Sequence, residues 1–246
     1  PQVSTGAVEF RHVSFGYSPE HQLMHDVNIT VKSGQKVAIV GPTGAGKTTL
    51  INLLMRFYDV DGGSILVDGV DTKEMTRHEL RDRFGMVLQD AWLFEGSIRD
   101  NIAYAQDNLP EEKIIAAARS ASVDSFIKTL PDGYDFELST GAENISQGQR
   151  QLLTIARAMA SDPEIMILDE ATSNVDTHTE QLIQKALAKL MHGRTSFVIA
   201  HRLSTIRDAD MILYMEHGDI LEHGSHEELM AQHGKYEALY MSQFAQ

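Results

Sequence analysis

The sequence predicts an α/β fold. A mostly parallel central sheet surrounds a phosphate-binding loop, antiparallel strands lie toward the N-terminus, and a helical segment is inserted in the middle. Three observations carry that expectation. Gly41-Pro42-Thr43-Gly44-Ala45-Gly46-Lys47-Thr48-Thr49 matches the pattern G-x-x-x-x-G-K-[ST]. Short apolar runs, among them Val37-Ala38-Ile39-Val40 and Ile165-Met166-Ile167-Leu168, have the composition of strands buried within a parallel sheet. From about residue 91 to residue 128, strand signals give way to consecutive helical patterns.

Composition narrows the partners. The 246 residues make one large domain or two small ones. With 21 basic and 35 acidic residues the net charge is −14, which argues against nucleic acid as the main partner, because neutralising phosphates needs a basic face. There is no cysteine, hence no disulfide and no thiolate metal site. No apolar run approaches the roughly 18 residues of a membrane span, and no secretory signal is visible, so the chain is expected to be soluble as written. The abrupt start at Pro1 fits a piece of something larger.

The elements follow in order. Val8-Glu9-Phe10-Arg11-His12-Val13-Ser14-Phe15 alternates as a half-buried strand does, and Gly16-Tyr17-Ser18-Pro19 is expected to break it. Residues 23–31 alternate again. The apolar run 37–40 leads into the glycine-rich loop, and Leu50, Ile51, Leu53 and Leu54 give the loop a following helix. Asp61-Gly62-Gly63 reads as a hairpin turn, residues 64–68 as a short strand and 79–83 as a short helix. Residues 84–88 read as a strand ending at Gln89. Helices are expected at 97–103, 110–119 and 122–130, then a loop over 131–140. Ser146 and Gln149 fit a capping box for a helix whose buried face is Leu152, Leu153, Ile155, Ala156 and Met159. Strands follow at 165–168, 196–200, 211–215 and 219–222. A turn is expected over 171–176, an amphipathic helix over 178–191, and acidic helix after about Ser225.

The chemistry gathers at strand exits. In the glycine-rich loop, backbone N–H groups curl around an anion and the next helix offers its positive end. Gly41, Thr43, Gly44, Ala45, Gly46 and Thr49 would cradle phosphates, Lys47 would reach the β- and γ-phosphates, and the Thr48 hydroxyl would ligate Mg²⁺. Asp169 and Glu170 end a buried strand, where open α/β sheets bind ligands. Asp169 would hold Mg²⁺ through water, and Glu170 would polarise a water attacking the γ-phosphate. Gln89 is a candidate Mg²⁺ or water contact. His201 is a third polar residue at a strand exit. Tyr17 reads either as an aromatic packing on the core or as a flat ring for a nucleobase to stack on. Gly148, in the first turn of a helix, costs roughly 1 kcal/mol against alanine, and close approach of an anion would account for it.

Together these motifs resemble one family, the nucleotide-binding domain of ABC transporters of the exporter type. The resemblance covers nearly the whole chain: the P-loop at 41–49, the Q-loop at Gln89, the signature Ile145-Ser146-Gln147-Gly148-Gln149, Walker B at 165–170, the D-loop Ser173-Asn174-Val175-Asp176 and the switch His201. Tyr17 sits where the family's adenine-stacking aromatic sits. The resemblance implies a single P-loop ATPase domain over 1–246, with a helical subdomain over about 91–157 and an antiparallel β subdomain over about 8–36 and 60–70. It also implies ATP and Mg²⁺ as ligands, with Lys47, Gln89, Glu170 and His201 at the reacting centre. It implies a head-to-tail dimer with a second, identical or homologous nucleotide-binding domain, in which Ser146, Gly148, Gln149 and Asp176 serve the ATP held on the partner's P-loop. Transmembrane domains of an exporter would couple near Gln89, placing the chain at the cytoplasmic face of the plasma membrane, and the cargo would be drugs, lipids or other amphipathic molecules.

The chain departs from the family's commonest forms in three places. Ile145 and Gln147 stand where Leu and Gly are usual. Thr140-Gly141-Ala142-Glu143-Asn144 occupies a region that usually places an acidic residue against the membrane domain. Asn174-Val175 replaces Ala-Leu, which resembles the catalytically complete half of heterodimeric bacterial exporters. Two rival readings belong to other classes. An ATP-gated soluble clamp on nucleic acid or ribosomes would need a basic surface or coiled-coil arms, and the sequence has neither. A regulatory half with little turnover would lack Glu170, His201 or the signature, and all are present.

Overall fold

The computed structural model describes residues 5–104, 106–170 and 175–244. In chain order the elements begin with β1 (Val8–Ser18), β2 (His21–Val31), β3 (Lys36–Val40), α1 (Lys47–Leu54), β4 (Gly62–Val67), β5 (Val70–Asp71), α2 (Arg77–Arg81) and β6 (Phe84–Val87). Then come β7 (Gly96–Ser97), α3 (Ile98–Ile102), α4 (Glu111–Ser120), α5 (Asp124–Ile127), β8 (Glu137–Leu138), α6 (Gln147–Ser161) and β9 (Ile165–Asp169). The chain closes with α7 (Thr177–Met191), β10 (Thr195–Ile199), α8 (Leu203–Arg207), β11 (Met211–Glu216), β12 (Asp219–Gly224), α9 (His226–Ala231) and α10 (Lys235–Phe244). Two compact units form: Pro1–Phe84 with Glu164–Glu170 and Gly193–Gln246, and Gly85–Pro163 with Ala171–His192.

The first unit holds an antiparallel sheet, β2-β1-β4-β5. Alternation in β1 buries Val8, Phe10, Val13 and Phe15, and the pairings Phe10↔Ile29 and Phe10↔Ile65 put apolar residues of three strands side by side. The other strands of this unit run β12-β11-β3-β10-β9. β11, β3, β10 and β9 are parallel, and β12 returns antiparallel to β11. The continuous apolar runs are buried here, Val37, Ala38, Ile39, Ile167, Phe197 and Leu213 among them. Leu50, Ile51, Leu53 and Leu54 give α1 its buried face, each worth about 1.5–3 kcal/mol against exposure.

In the second unit α6 packs against α3, α4 and α7, burying Leu152, Leu153, Ile155 and Ala156. Arg157 on α6 donates to the Asn101 carbonyl (2.8 Å), the Asn101 Oδ1 (3.0 Å) and the Trp92 carbonyl (3.0 Å), with its guanidinium over the rings of Trp92 and Tyr104. Among the described residues no helix is long and apolar enough to cross a membrane.

Several local expectations are corrected. β1 does not break at Gly16 but runs through Tyr17 to Ser18, because Gly16 pairs with Gln22 and donates its N–H to Asp61 Oδ2 at 2.8 Å. The short helix near 79–83 lies at Arg77–Arg81, set by a capping box between Thr76 and Glu79. The expected loop over 131–140 contains β8, which pairs with β7, and 3₁₀ turns at Gly133–Asp135 and Thr140–Ala142. Of the turn expected over 171–176, residues 171–174 lie outside the described residues.

Gly62-Gly63 is not a turn either; both residues belong to β4. They lie beside an irregularity in β1, between Arg11↔Ser64 and Ser14↔Gly62, where His12 takes φ 48°. Gly63 has φ 74°, and a β-carbon there would come within 2.2 Å of the His12 carbonyl oxygen. The glycine is therefore required by close backbone approach. Gly63→Ala is expected to cost at least about 2 kcal/mol, from left-handed backbone plus the clash. Urea unfolding measures this, and a loss under about 0.5 kcal/mol would contradict the bulge.

Candidate functional site

The site is built by register. Parallel pairing sets Ile199 of β10 opposite both Ile39 of β3 and Asp169 of β9. Ala200 donates its N–H to the Ile39 carbonyl and Glu170 to the Ile199 carbonyl, each at 3.1 Å. Three chain exits therefore share one edge: the glycine-rich loop after Val40, Glu170 after Asp169, and His201 after Ala200.

The loop after β3 is shaped by its glycines. Gly41, Gly44 and Gly46 take φ 149°, 80° and 96°, and a β-carbon on Gly41 would meet the Met215 carbonyl oxygen at 2.1 Å. The Gly218 N–H, from the turn between β11 and β12, donates to the Ala45 carbonyl at 2.9 Å. Lys47 folds back over the loop, its Nζ donating to the Gly41 carbonyl at 2.6 Å. No side chain caps the N-terminus of α1, so its first N–H groups are left to an anion. Thr43 and Thr48 are exposed. Thr49 is buried, and its hydroxyl is hydrogen-bonded to the Tyr17 hydroxyl at 2.7 Å.

Tyr17 is 56 % exposed, which is not how a core aromatic sits. Its ring meets Phe15 and Tyr58 edge to face. A cavity of about 340 Å³ lies between Tyr17 and Leu23 on one side and residues 44–49 on the other. An aromatic ring at one end and a backbone anion cradle with a lysine at the other fit a nucleoside polyphosphate.

Beside it, Asp169 and His201 approach to 3.7 Å between Oδ1 and Nε2. Burial pushes the Asp169 carboxyl above its ordinary range, opposed by His201 and Lys47. Burial pushes the Lys47 ammonium down, opposed by Asp169. Glu170 is buried, and its carboxylate accepts the N–H groups of His201 (3.0 Å) and Arg202 (3.1 Å) and the hydroxyl of Thr205. The Thr48 hydroxyl and the Asp169 carboxylate are a sparse oxygen donor set, the kind that suits a cation keeping most of its water, as Mg²⁺ does. Among the described residues no group of three or more His, Asp and Glu is arranged for a metal.

The remaining candidates belong to the second unit. Gln89 is exposed, two residues beyond β6. Ser146 and Gln149 form the expected capping box, the Gln149 N–H donating to Ser146 Oγ (3.2 Å) and the Ser146 N–H to Gln149 Oε1 (2.9 Å). Gly148 has a reason other than a ligand: a β-carbon there would lie 2.4 Å from Thr179 Cγ2 and 3.0 Å from Val175 Cγ1. Asp176 caps α7, accepting the Thr179 N–H at 2.9 Å, and this hydrogen bonding holds its carboxyl below the ordinary range. Ser173 and Asn174 lie outside the described residues. Sequence reasoning missed Leu23, which lines the cavity, and Thr205. Only a hydroxyl four positions after His201 hinted at the latter.

Residues 24–173 match the family model described as ABC transporter. The chain is 55 % identical over 232 residues to a fatty acid ABC transporter ATP-binding/permease protein of Mycobacterium bovis, a match covering 94 % of this chain and 37 % of that protein. It is 50 % identical over 237 residues to an ATP-dependent lipid A-core flippase of Desulfotalea psychrophila, covering 96 % and 41 %. Among solved structures it is similar to a bacterial Atm1-family ABC exporter with ATP bound, with TM-score 0.91 and 41 % identity, covering 100 % of this chain and 43 % of that one. The chain thus spans about two-fifths of the length of the curated relatives it matches.

The cap at Ser146 gives a stability expectation independent of any ligand. Ser146→Ala is expected to lose about 1 kcal/mol. Ser146→Asp, which keeps an acceptor, is expected to restore most of it, and thermal melts of the two variants check this.

Proposed function

We propose that this chain, which belongs to the ABC transporter family, binds ATP with Mg²⁺ and hydrolyses it to power export through transmembrane domains. One observation carries the reading: a single cavity joins the exposed Tyr17 ring to the Lys47 loop, at the sheet edge where Asp169, Glu170 and His201 emerge.

In this reading Tyr17 stacks on the base, held by the Thr49 hydroxyl. Gly41, Thr43, Gly44, Ala45, Gly46 and Thr49 wrap the phosphates with backbone N–H groups, and Lys47 leaves the Gly41 carbonyl for the terminal phosphates. Thr48 and Asp169, the latter through water, would hold Mg²⁺, with Gln89 as a further contact. Bound there, the ion neutralises charge that builds on the phosphate oxygens. Glu170 orients the attacking water and takes its proton as the bond from the γ-phosphorus to the bridging oxygen breaks. His201 stands beside Asp169 to face the transferred group.

Ser146, Gly148, Gln149 and Asp176 would complete the site of a second, identical or homologous domain in a head-to-tail dimer. The packing of Gly148 on Thr179 does not depend on that role. The whole chain then forms one nucleotide-binding domain, with residues about 91–157 as its helical subdomain and about 8–36 and 60–70 as its antiparallel β subdomain. Its place is the cytoplasmic face of the plasma membrane. The names of the relatives, fatty acid and lipid A-core among them, support amphipathic cargo, and the net charge of −14 supports a partner other than nucleic acid.

Two variants test the reading. Glu170→Gln is expected to keep ATP binding and to cut turnover about 10²-fold or more; turnover at the parent rate would remove Glu170 from the chemistry. Lys47→Ala is expected to abolish ATP binding in calorimetry, and retained micromolar affinity would contradict the loop assignment.

A further inference from the structure

Glu170 is 8 % exposed, and a carboxyl group so placed needs hydrogen-bond partners. Three reach it from a stretch of five residues. The N–H groups of His201 and Arg202 both go to Oε2, at 3.0 and 3.1 Å. The Thr205 hydroxyl goes to Oε1. Two of these donors are main chain and arrive with the exit of β10. The third is a side chain, 6 % exposed, on the first turn of α8.

The division between the oxygens matters. Among the described residues, two N–H groups occupy both lone-pair positions of Oε2, whereas Oε1 accepts one hydroxyl and keeps one position free. The torsion that turns a glutamate carboxylate is broad and sets no plane by itself. Donors on Oε2 alone leave rotation about that oxygen, and the Thr205 bond removes it.

We propose that Thr205 is a positioning residue for ATP hydrolysis: by pinning Oε1 of Glu170 it aims that oxygen's free lone pair at the attacking water. The inference rests on the role given to Glu170 above. In this role Thr205 acts through Glu170 and not on the substrate. Its effect falls on orientation in the hydrolytic step, where small misplacements cost large factors, and not on nucleotide affinity.

The test compares kcat and KM for ATP in the full chain for the parent, Thr205→Val, Thr205→Ser and Glu170→Gln. Thr205→Val is expected to lower kcat about tenfold or more with KM within about twofold, and Thr205→Ser to restore most of kcat. Thr205→Val at or above the parent rate would overturn the proposal, as would a Thr205→Ser variant as slow as Thr205→Val, which would assign the effect to the methyl group. A folding defect in Thr205→Val shows as lost ATP binding. Thr205→Ala then takes its place, with the same expectation. If Glu170→Gln hydrolyses at the parent rate, the role of Glu170 has failed. If Glu170→Gln is inactive while Thr205→Val is normal, only the role of Thr205 has failed.

Discussion

The first unit depends on the in-register parallel pairing of β3, β10 and β9. Parallel hydrogen bonding fixes Ile39, Ile199 and Asp169 at one level, and that level decides where the chain leaves the sheet. A slip of one residue would turn every side chain of the slipped strand to the other face and separate Lys47 from Asp169. Valine, isoleucine and phenylalanine, buried on both faces, hold the register, so the core and the site rest on the same contacts.

Charge at that edge is balanced within the site. Lys47, Asp169 and His201 each meet an opposite or polarisable neighbour, and the directions of the Lys47 and Asp169 shifts agree: burial acts against both charges while each supports the other. Glu170 is stabilised differently, by main-chain dipoles and one hydroxyl. Two adjacent carboxylates thus sit in unlike surroundings, one near the Lys47 ammonium and the His201 ring and one among neutral donors, which suits them to unlike tasks.

Much of this was legible in the sequence because it depends on short-range chemistry. The pattern from Gly41 to Thr48 specifies a backbone path, Ser146 with Gln149 specifies a helix start, and an uninterrupted run such as Ile165-Met166-Ile167-Leu168 specifies a buried strand. What stayed hidden came from pairing at a distance. Gly16 and Gly62-Gly63 look like turn residues locally, yet both lie within strands, because the partner strand and Asp61 take up Gly16 and the bulge at His12 admits no β-carbon at Gly63. Gly148 invited a ligand explanation, and its nearest neighbour proved to be Thr179, 31 positions along the chain. Thr205 bonds to Glu170 across 35 positions, a separation no local pattern marks.

The bond from the Gly218 N–H to the Ala45 carbonyl has one more implication. Both partners are main-chain atoms, and the approach is so close that a β-carbon on Gly218 would meet the Leu23 carbonyl oxygen at 2.0 Å, so the brace between the loop and the β11–β12 turn requires glycine there. His217, although its side chain is largely in solvent, takes φ 52°, a left-handed backbone that few side chains adopt without cost. The turn is therefore constrained through its backbone, and a substitution that shifted that backbone would reach the phosphate cradle through this one bond.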